Sequence, residues 1–317
     1  MSTFPDPAVQ AWFRARTKGP GRRTVADLAA AKDALDLSIT VCLPALDEAA
    51  TIGAICEVIT RDLVAGGLVD ELLVVDSGST DGSPGLASAA GAKVVRAAEV
   101  LPEVAELRAP GKGESLWKSL AVVAGDIVVW VDSDTRNFDP RFVTRLVAPL
   151  LDDPSIGFVK GFYERPFHTE AATLPSEGAR VTEIAVRPLL NLFFPALSGV
   201  IQPLSGEYAA RVDLVRDLPF FTGYAVDVGL LIDVVERYGL DALAQVDLGE
   251  RVHRNRDVAA LGRMSFEIMH ALFGMLDEDA LVKLAEPLRE QLVQFKNAEP
   301  ARHEVHIGRR PPIARYL

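Results

Sequence analysis

Between residues 37 and 160, short apolar runs alternate with longer segments whose apolar residues recur every three or four positions. Ile39-Thr40-Val41-Cys42, Leu72-Leu73-Val74-Val75 and Ile127-Val128-Val129-Trp130 are rich in β-branched residues and too short for helices, so they read as buried strands. The pattern predicts strands near 38–43, 71–75, 92–96, 126–131 and 156–162, and helices near 50–65, 83–90, 113–123 and 141–151. This alternation specifies an α/β fold, a Rossmann-like, mainly parallel sheet with helices on both faces. Four regions follow. Residues 1–36 read as a leader with a short helix near Val25–Leu35, and 37–160 as the Rossmann-like half. A second half covers 161–263. It is irregular over 163–223 apart from a helix near 178–193, then has a helix near 225–238 and a strand near 243–248. Residues 264–317 hold C-terminal helices and a tail. Residues 257–296 predict two helices, with Ile268, Leu272 and Met275 on one face of the first and Leu281, Leu284 and Leu288 on one face of the second. The tail from 297 is polar, basic and Pro-containing, an arm suited to dock elsewhere.

Polar clusters fall where the predicted strands end. Leu43-Pro44-Ala45-Leu46-Asp47-Glu48 follows the first strand, and Asp76-Ser77-Gly78-Ser79-Thr80-Asp81-Gly82 the second. Gly111-Lys112-Gly113 opens a helix, and Val131-Asp132-Ser133-Asp134 closes a further strand. In an open α/β sheet, ligands bind at that edge. Asp132 and Asp134 point to one side of an extended backbone. Such a pair can grip a divalent cation that bridges two phosphates, and Mg²⁺ or Mn²⁺ suits carboxylate oxygens. An isolated Asp-x-Asp pair also caps turns and helices. The glycines beside Lys112 admit close approach of a ligand, and a helix N-terminus favours an anion. The spacing is not that of a P-loop.

Further along, Arg251, His253 and Asn255 share one side of the chain if the segment after the strand near 243–248 stays extended. A neutral His253 there can complete a cation site begun by Asp134, or belong to a solvated basic loop. Arg165, Arg180, Thr182 and Arg187 suit a small anionic substrate. They suit equally well ion pairs with Glu170, Glu177 and Glu183, such as Arg180–Glu183 on one helix. Glu207, in Gln202–Tyr208, and Asp227, just after Gly223-Tyr224, can accept sugar hydroxyls. Turn chemistry at Ser205-Gly206 and a helix-start carboxylate at Asp227 account for them too.

The 317 residues are 49% hydrophobic, enough for a full core, and carry a net charge of −11, which excludes general nucleic-acid binding. Cys42 and Cys56 lie among apolar residues and read as small buried hydrophobes. The most apolar stretch, Leu189–Leu204, is broken by Pro195, Gly199 and Pro203 and is too short to span a bilayer. With no export signal at the N-terminus, a cytoplasmic protein without stable membrane insertion is expected.

The order of four strand-end motifs resembles the nucleotide-sugar glycosyltransferases of the GT-A fold. Five segments, 76–82, 110–117, 126–134, 202–209 and 252–256, further resemble the glucosyl-3-phosphoglycerate synthase family in order and spacing, over roughly Ile39 to Arg263. The resemblance implies retaining transfer of glucose from UDP-glucose to the 2-hydroxyl of D-3-phosphoglycerate, with Mg²⁺ or Mn²⁺. It implies Asp134 and His253 as metal ligands. Pro44, Ala45, Leu46, Glu48, Ser79, Lys112, Asp132, Ser133, Glu207 and Tyr224 would bind the donor. Arg180, Thr182 and Asn255 would bind the acceptor, and Asp134, Asp227 and Lys112 would serve catalysis. A homodimer is expected. Two positions depart from the family pattern: Ala179 replaces a glycine, and Asp227 replaces a glutamate with one methylene more. Mannosyl transfer from GDP-mannose to the same acceptor is the alternative. A sugar nucleotidyltransferase is a remoter one, since the Gly-rich signature after the first strand is replaced by Pro44-Ala45-Leu46-Asp47.

Overall fold

Strand β2 (Ile39–Ala45) separates two apolar cores. Ile39, Val41 and Leu43 face one core and Cys42 the other, all buried. The same period of two splits β3 (Glu71–Asp76), where Leu72 and Val74 oppose Leu73 and Val75, and β5 (Ile127–Trp130), where Ile127 and Val129 oppose Val128 and Trp130. Strands buried on both faces need continuous apolar runs, which is why these stretches show no polar alternation. The computed structural model describes residues 6–104, 111–164, 167–168, 173–174, 180–252, 257–296 and 299–317.

Among these residues eight strands form the main sheet. Besides the three above they are β1 (Thr17–Lys18), β4 (Lys93–Arg96), β6 (Phe158–Glu164), β7 (Tyr208–Arg211) and β8 (Leu243–Glu250). The spatial order is β1-β8-β6-β7-β5-β2-β3-β4. Neighbours run parallel, except that β7 is antiparallel to both β5 and β6. The chain leaves β2 toward β4 and returns on the other side to β5, so the crevice between β2 and β5 is the topological switch point.

Helices cover both faces, as the alternation predicts. Leu116, Trp117 and Leu120 of α5 (Lys112–Val122) enter one core with α7 (Arg187–Phe193), α8 (Val212–Arg216), α9 (Val226–Tyr238) and α10 (Val258–Glu278). The other receives α2 (Val25–Ala34), α3 (Ile52–Val58), α4 (Ser83–Ala89) and α6 (Arg141–Asp152). In α6 the residues Phe142, Val143, Leu146, Val147, Leu150 and Leu151 make the apolar stripe. Cys42 and Cys56 are buried free thiols, and burial pushes each up to about 12. No helix among the described residues is long and apolar enough to cross a membrane.

The sequence pattern missed several elements and misread one. The leader contains α1 (Pro7–Arg16), started by Asp6, whose carboxylate accepts from the N–H of Ala8 at 2.7 Å. Its Trp12 is buried and donates to the carbonyl of Leu243 at 2.8 Å, and β1 then joins the edge of the sheet. Strand β7 escaped notice because Tyr-Ala-Ala-Arg has little strand character; it is held as a strand by antiparallel pairing with both β5 and β6. No second helix covers Leu281–Leu288. Ala280 adopts φ +56° at the end of α10, and the N–H groups of Leu281 and Val282 both close back on the carbonyl of Leu276. Glu286 precedes Pro287, which disfavours helix there. A hairpin of Gln291–Lys296 and Glu299–Glu304 follows.

The basic tail docks on its own chain. Arg309–Arg310 pairs antiparallel with Phe220–Phe221, and the N–H of Thr222 donates to the carbonyl of Gly308 at 2.9 Å. Arg310 makes a two-pronged, buried bond to Glu114 in the first turn of α5, at 2.7 and 2.8 Å. It stacks 5.1 Å from the Trp117 ring, whose Nε1 donates to the carbonyl of Pro311 at 2.8 Å. Removing one partner of a buried pair strands the other charge, at about 3–5 kcal/mol. Arg310→Ala should therefore lower the unfolding free energy by ~3–5 kcal/mol in urea titration. A loss below ~1 kcal/mol, the worth of a surface pair, would mean that the tail merely rests on the surface.

Candidate active site

The switch-point crevice is built from loops that bond to each other across strands. After β2, Asp47 takes φ +54°, a left-handed turn that aspartate tolerates. Its N–H donates to Ser79 Oγ at 2.9 Å, and its carboxylate accepts from the N–H of Thr80 at 2.8 Å. The N–H of Glu48 donates to Ser83 Oγ at 2.8 Å, and that of Ala49 to Asp81 at 2.9 Å. Asp76, buried at the end of β3, accepts from the N–H groups of Gly78 and Ser79. On the other side, Ser133 Oγ donates to the carbonyl of Pro44 at 2.8 Å, and Thr51 Oγ1 to the carbonyl of Ser133 at 2.6 Å. The predicted nucleoside residues Pro44, Ala45, Leu46, Glu48, Ser79 and Ser133 thus share one ledge. Leu46, 55% exposed, stands at its rim.

Beside the ledge lies a charged cluster. Lys112 Nζ is 2.9 Å from Asp132 and 3.2 Å from Asp227. Burial opposes the ammonium, but the Asp132 and Asp227 carboxylates outweigh it and raise its pKa. Arg251 reaches Asp132 at 3.1 Å and Asp134 at 2.7 Å. Glu207 lies behind this pair, wholly buried, with Arg251 Nε 2.9 Å from its carboxylate. The single Nε proton is aimed at Thr135 Oγ1 instead, 3.1 Å away, so the Glu207 contact is an ion pair and not a hydrogen bond. Burial raises the Glu207 pKa, with Arg251 opposing. Lys160 projects from the middle of β6, buried, 4.2 Å from the centre of the Tyr208 ring. Burial pulls its pKa down to about 8 although Asp227 works against that.

Two glycines are required by this packing. A Cβ on Gly206 would fall 2.0 Å from the Asp132 carboxylate, and one on Gly113 would fall 1.8 Å from the carbonyl oxygen of Phe221. The first clears space for the acid pair and the second seats the turn that carries Lys112.

The structure therefore brings Lys112, Asp132, Asp134, Glu207 and Asp227 together. Asp227 reaches Lys112 despite its shorter side chain. Arg180 and Thr182 lie at the start of a helical segment that runs through the π-turn Thr182–Val186 and packs on α10. Thr182 is buried and Arg180 half-buried. Glu183, which the sequence offers as a partner for Arg180, binds Arg187 instead at 2.8 Å. Tyr224 is half-buried just before α9, its N–H 3.4 Å from Glu267. His253 and Asn255 lie outside the described residues, as does Arg165. Among the described residues no three His, Cys, Asp or Glu side chains form a ready metal cage. Asp134, partly exposed at the sheet edge, fits a hard cation that takes the rest of its ligands from phosphate and water.

The sequence placed Arg251 beside His253 and Asn255 without a role, and did not single out Lys160, Tyr208, Tyr163 or Thr135. One signal was present. Lys160 interrupts the apolar run Phe158-Val159, and a lysine in mid-strand needs a buried partner.

The family model "Glycosyl transferase family 2" matches residues 40–196. Glucosyl-3-phosphoglycerate synthase of Mycolicibacterium smegmatis is 46% identical over 290 residues, covering 92% of this chain and 93% of its own. The crystal structure of glucosyl-3-phosphoglycerate synthase from Mycobacterium tuberculosis with Mn²⁺, UDP-glucose and phosphoglyceric acid has a TM-score of 0.80 at 43% identity, covering 95% of this chain and 99% of that one. Mannosyl-3-phosphoglycerate synthase from Rubrobacter xylanophilus has a TM-score of 0.88 at 36% identity, covering 97% and 99%. With its parallel sheet, switch-point acids and full-length relatives taken together, the chain belongs to the glucosyl-3-phosphoglycerate synthase family of metal-dependent GT-A glycosyltransferases.

Proposed function

We propose that this chain transfers glucose from UDP-glucose to the 2-hydroxyl of D-3-phosphoglycerate with retention, releasing UDP. The observation that carries the reading is the Lys112–Asp132–Asp227 cluster at the switch point, in a chain that matches a relative over 92% of its length. In the reaction the bond from the anomeric carbon to the diphosphate oxygen breaks, and the bond to the acceptor oxygen forms on the same face. The acceptor proton passes to the departing diphosphate. Asp134 and His253 would hold a bound Mg²⁺ or Mn²⁺, which would neutralise charge on that diphosphate.

The remaining work belongs to the chain itself. Pro44, Ala45, Leu46, Glu48, Ser79 and Ser133 receive the nucleoside on the stitched ledge. Lys112 lies where a diphosphate and the sugar meet, and Asp132 and Asp227 hold its ammonium in place. Tyr224 and Asp227 face the sugar, while Glu207, fully buried, supports Asp132 from behind through Arg251. Arg180, Thr182 and Asn255 bind phosphoglycerate. The enzyme works in the cytoplasm as a homodimer. The hairpin after α10 supports this, since its Val293 and Phe295 are exposed on one face, Phe295 by 73%. Light scattering should give twice the chain mass. The likeness to the R. xylanophilus enzyme carries a second reading, mannosyl transfer from GDP-mannose.

Lys112→Ala should reduce kcat by ~10²–10³-fold, as loss of a preorganised charge stabiliser does. EDTA should abolish turnover and Mg²⁺ or Mn²⁺ restore it; full activity after exhaustive chelation would exclude the metal role. Measured by nucleotide release with phosphoglycerate, UDP-glucose should be preferred over GDP-mannose, and the reverse preference would establish the mannosyl reading. Arg180→Ala should raise the acceptor KM ~10–100-fold, the loss of one charge-assisted bond, and leave UDP binding unchanged. Arg180→Lys should recover part of it, because a point charge lacks the guanidinium fork. Unaltered acceptor kinetics in both variants would remove Arg180 from the acceptor site.

A further inference from the structure

Arg251 is the first residue beyond β8, and its side chain is 3% exposed. Its backbone N–H donates to the carbonyl of Glu164 at 3.0 Å, which fixes its stem. The guanidinium is bonded on every side. Nε donates to Thr135 Oγ1 at 3.1 Å and Nη1 to the Tyr163 hydroxyl at 3.1 Å. Nη2 is shared between Asp132 at 3.1 Å and Asp134 at 2.7 Å. Glu207 supplies a further carboxylate at 2.9 Å from Nε. A buried, planar cation held at this many points has one orientation. The two acids it bridges are the one paired with Lys112 and the one that fits a divalent cation.

We infer that Arg251 is a positioning residue that fixes Asp132 against Lys112 and competes with the divalent cation for Asp134, so that the metal binds firmly only together with the donor diphosphate. This rests on the proposed function above. Two cations on one carboxylate repel. A metal ion at Asp134 must therefore share its negative charge with a guanidinium that cannot move away. A diphosphate restores the missing negative charge and supplies oxygen ligands, the usual source for Mg²⁺. Arg251 thereby links metal retention to donor binding. A residue that merely supports a metal ligand behaves otherwise: its loss weakens metal affinity and activity together, by ~10–100-fold.

The test is calorimetric titration of the full chain with Mn²⁺ alone and with Mn²⁺ plus UDP, beside nucleotide release. Arg251→Gln should bind Mn²⁺ alone about tenfold tighter, a modest share of the effect of one close charge near a protein surface. Its kcat should fall ~10–100-fold because Asp132 is no longer held. Arg251→Lys keeps the charge and loses the fork, so its affinity for Mn²⁺ alone should stay at the wild-type value while kcat still falls. Should Arg251→Gln not fold, the double variant Arg251→Gln/Glu207→Gln removes the buried pair together and should show the same tightening. Unchanged or weaker binding of Mn²⁺ alone in the charge-neutral variants would overturn the inference. A wild type that released no nucleotide with either donor would defeat the functional reading, while the Mn²⁺ titration would still decide the role of Arg251.

Discussion

Like charges repel, and this fold gathers Asp132, Asp134, Glu207 and Asp227 at one edge of one sheet. Glu207 and Asp227 are buried, and burial drives the Glu207 carboxyl toward the protonated form. Lys112, Arg251 and Lys160 counter this from α5, the end of β8 and the middle of β6. Each positive charge lies between acids, so no single element is complete without the others. The sharp turn at Gly113 and the bare backbone at Gly206 follow from the same requirement, since a methyl group at either place would displace a member of the cluster or the turn that bears it.

The reversed strand explains how an acid from the second half reaches an acid from the first. Parallel strands present their C-terminal ends to the ligand edge, as β2, β3 and β5 do. Because β7 runs the other way, the residues before it, Gly206 and Glu207, arrive at that edge instead. One antiparallel strand therefore lets chain segments about seventy residues apart meet directly behind the Asp132 carboxylate.

The central sheet, most of its covering helices and the set of strand-end motifs were legible because apolar periodicity and glycine-bearing turns are local properties. Lys112, Asp132 and Asp134 were readable for the same reason: each stands at an element boundary marked in the sequence. What was not readable depends on distant partners. Tyr208–Arg211 becomes a strand through pairing with two neighbours, not through its own preference. Leu281, Leu284 and Leu288 have helical spacing, yet the left-handed residue Ala280 ends the helix first. Arg251 looks like part of a basic loop until Thr135, Tyr163 and three carboxylates are placed around it.

The docking of the tail bears on how the protein is made. A ribosome delivers the chain from its N-terminus, and domains acquire structure as they emerge. Strands β2, β3 and β5 and the helix bearing Lys112 emerge long before residue 310. The first turn of that helix nonetheless carries Glu114, whose buried partner Arg310 lies 196 residues further along the chain. Until Arg310 has emerged, that carboxylate has only Lys118, 3.8 Å away on the same helix, as a counter-ion, and the strand pairing at Phe220–Phe221 cannot form. The sheet can assemble during translation, but the turn that presents Lys112 is finished only once residues 308–311 have emerged, so this part of the nascent chain is folded before it is competent.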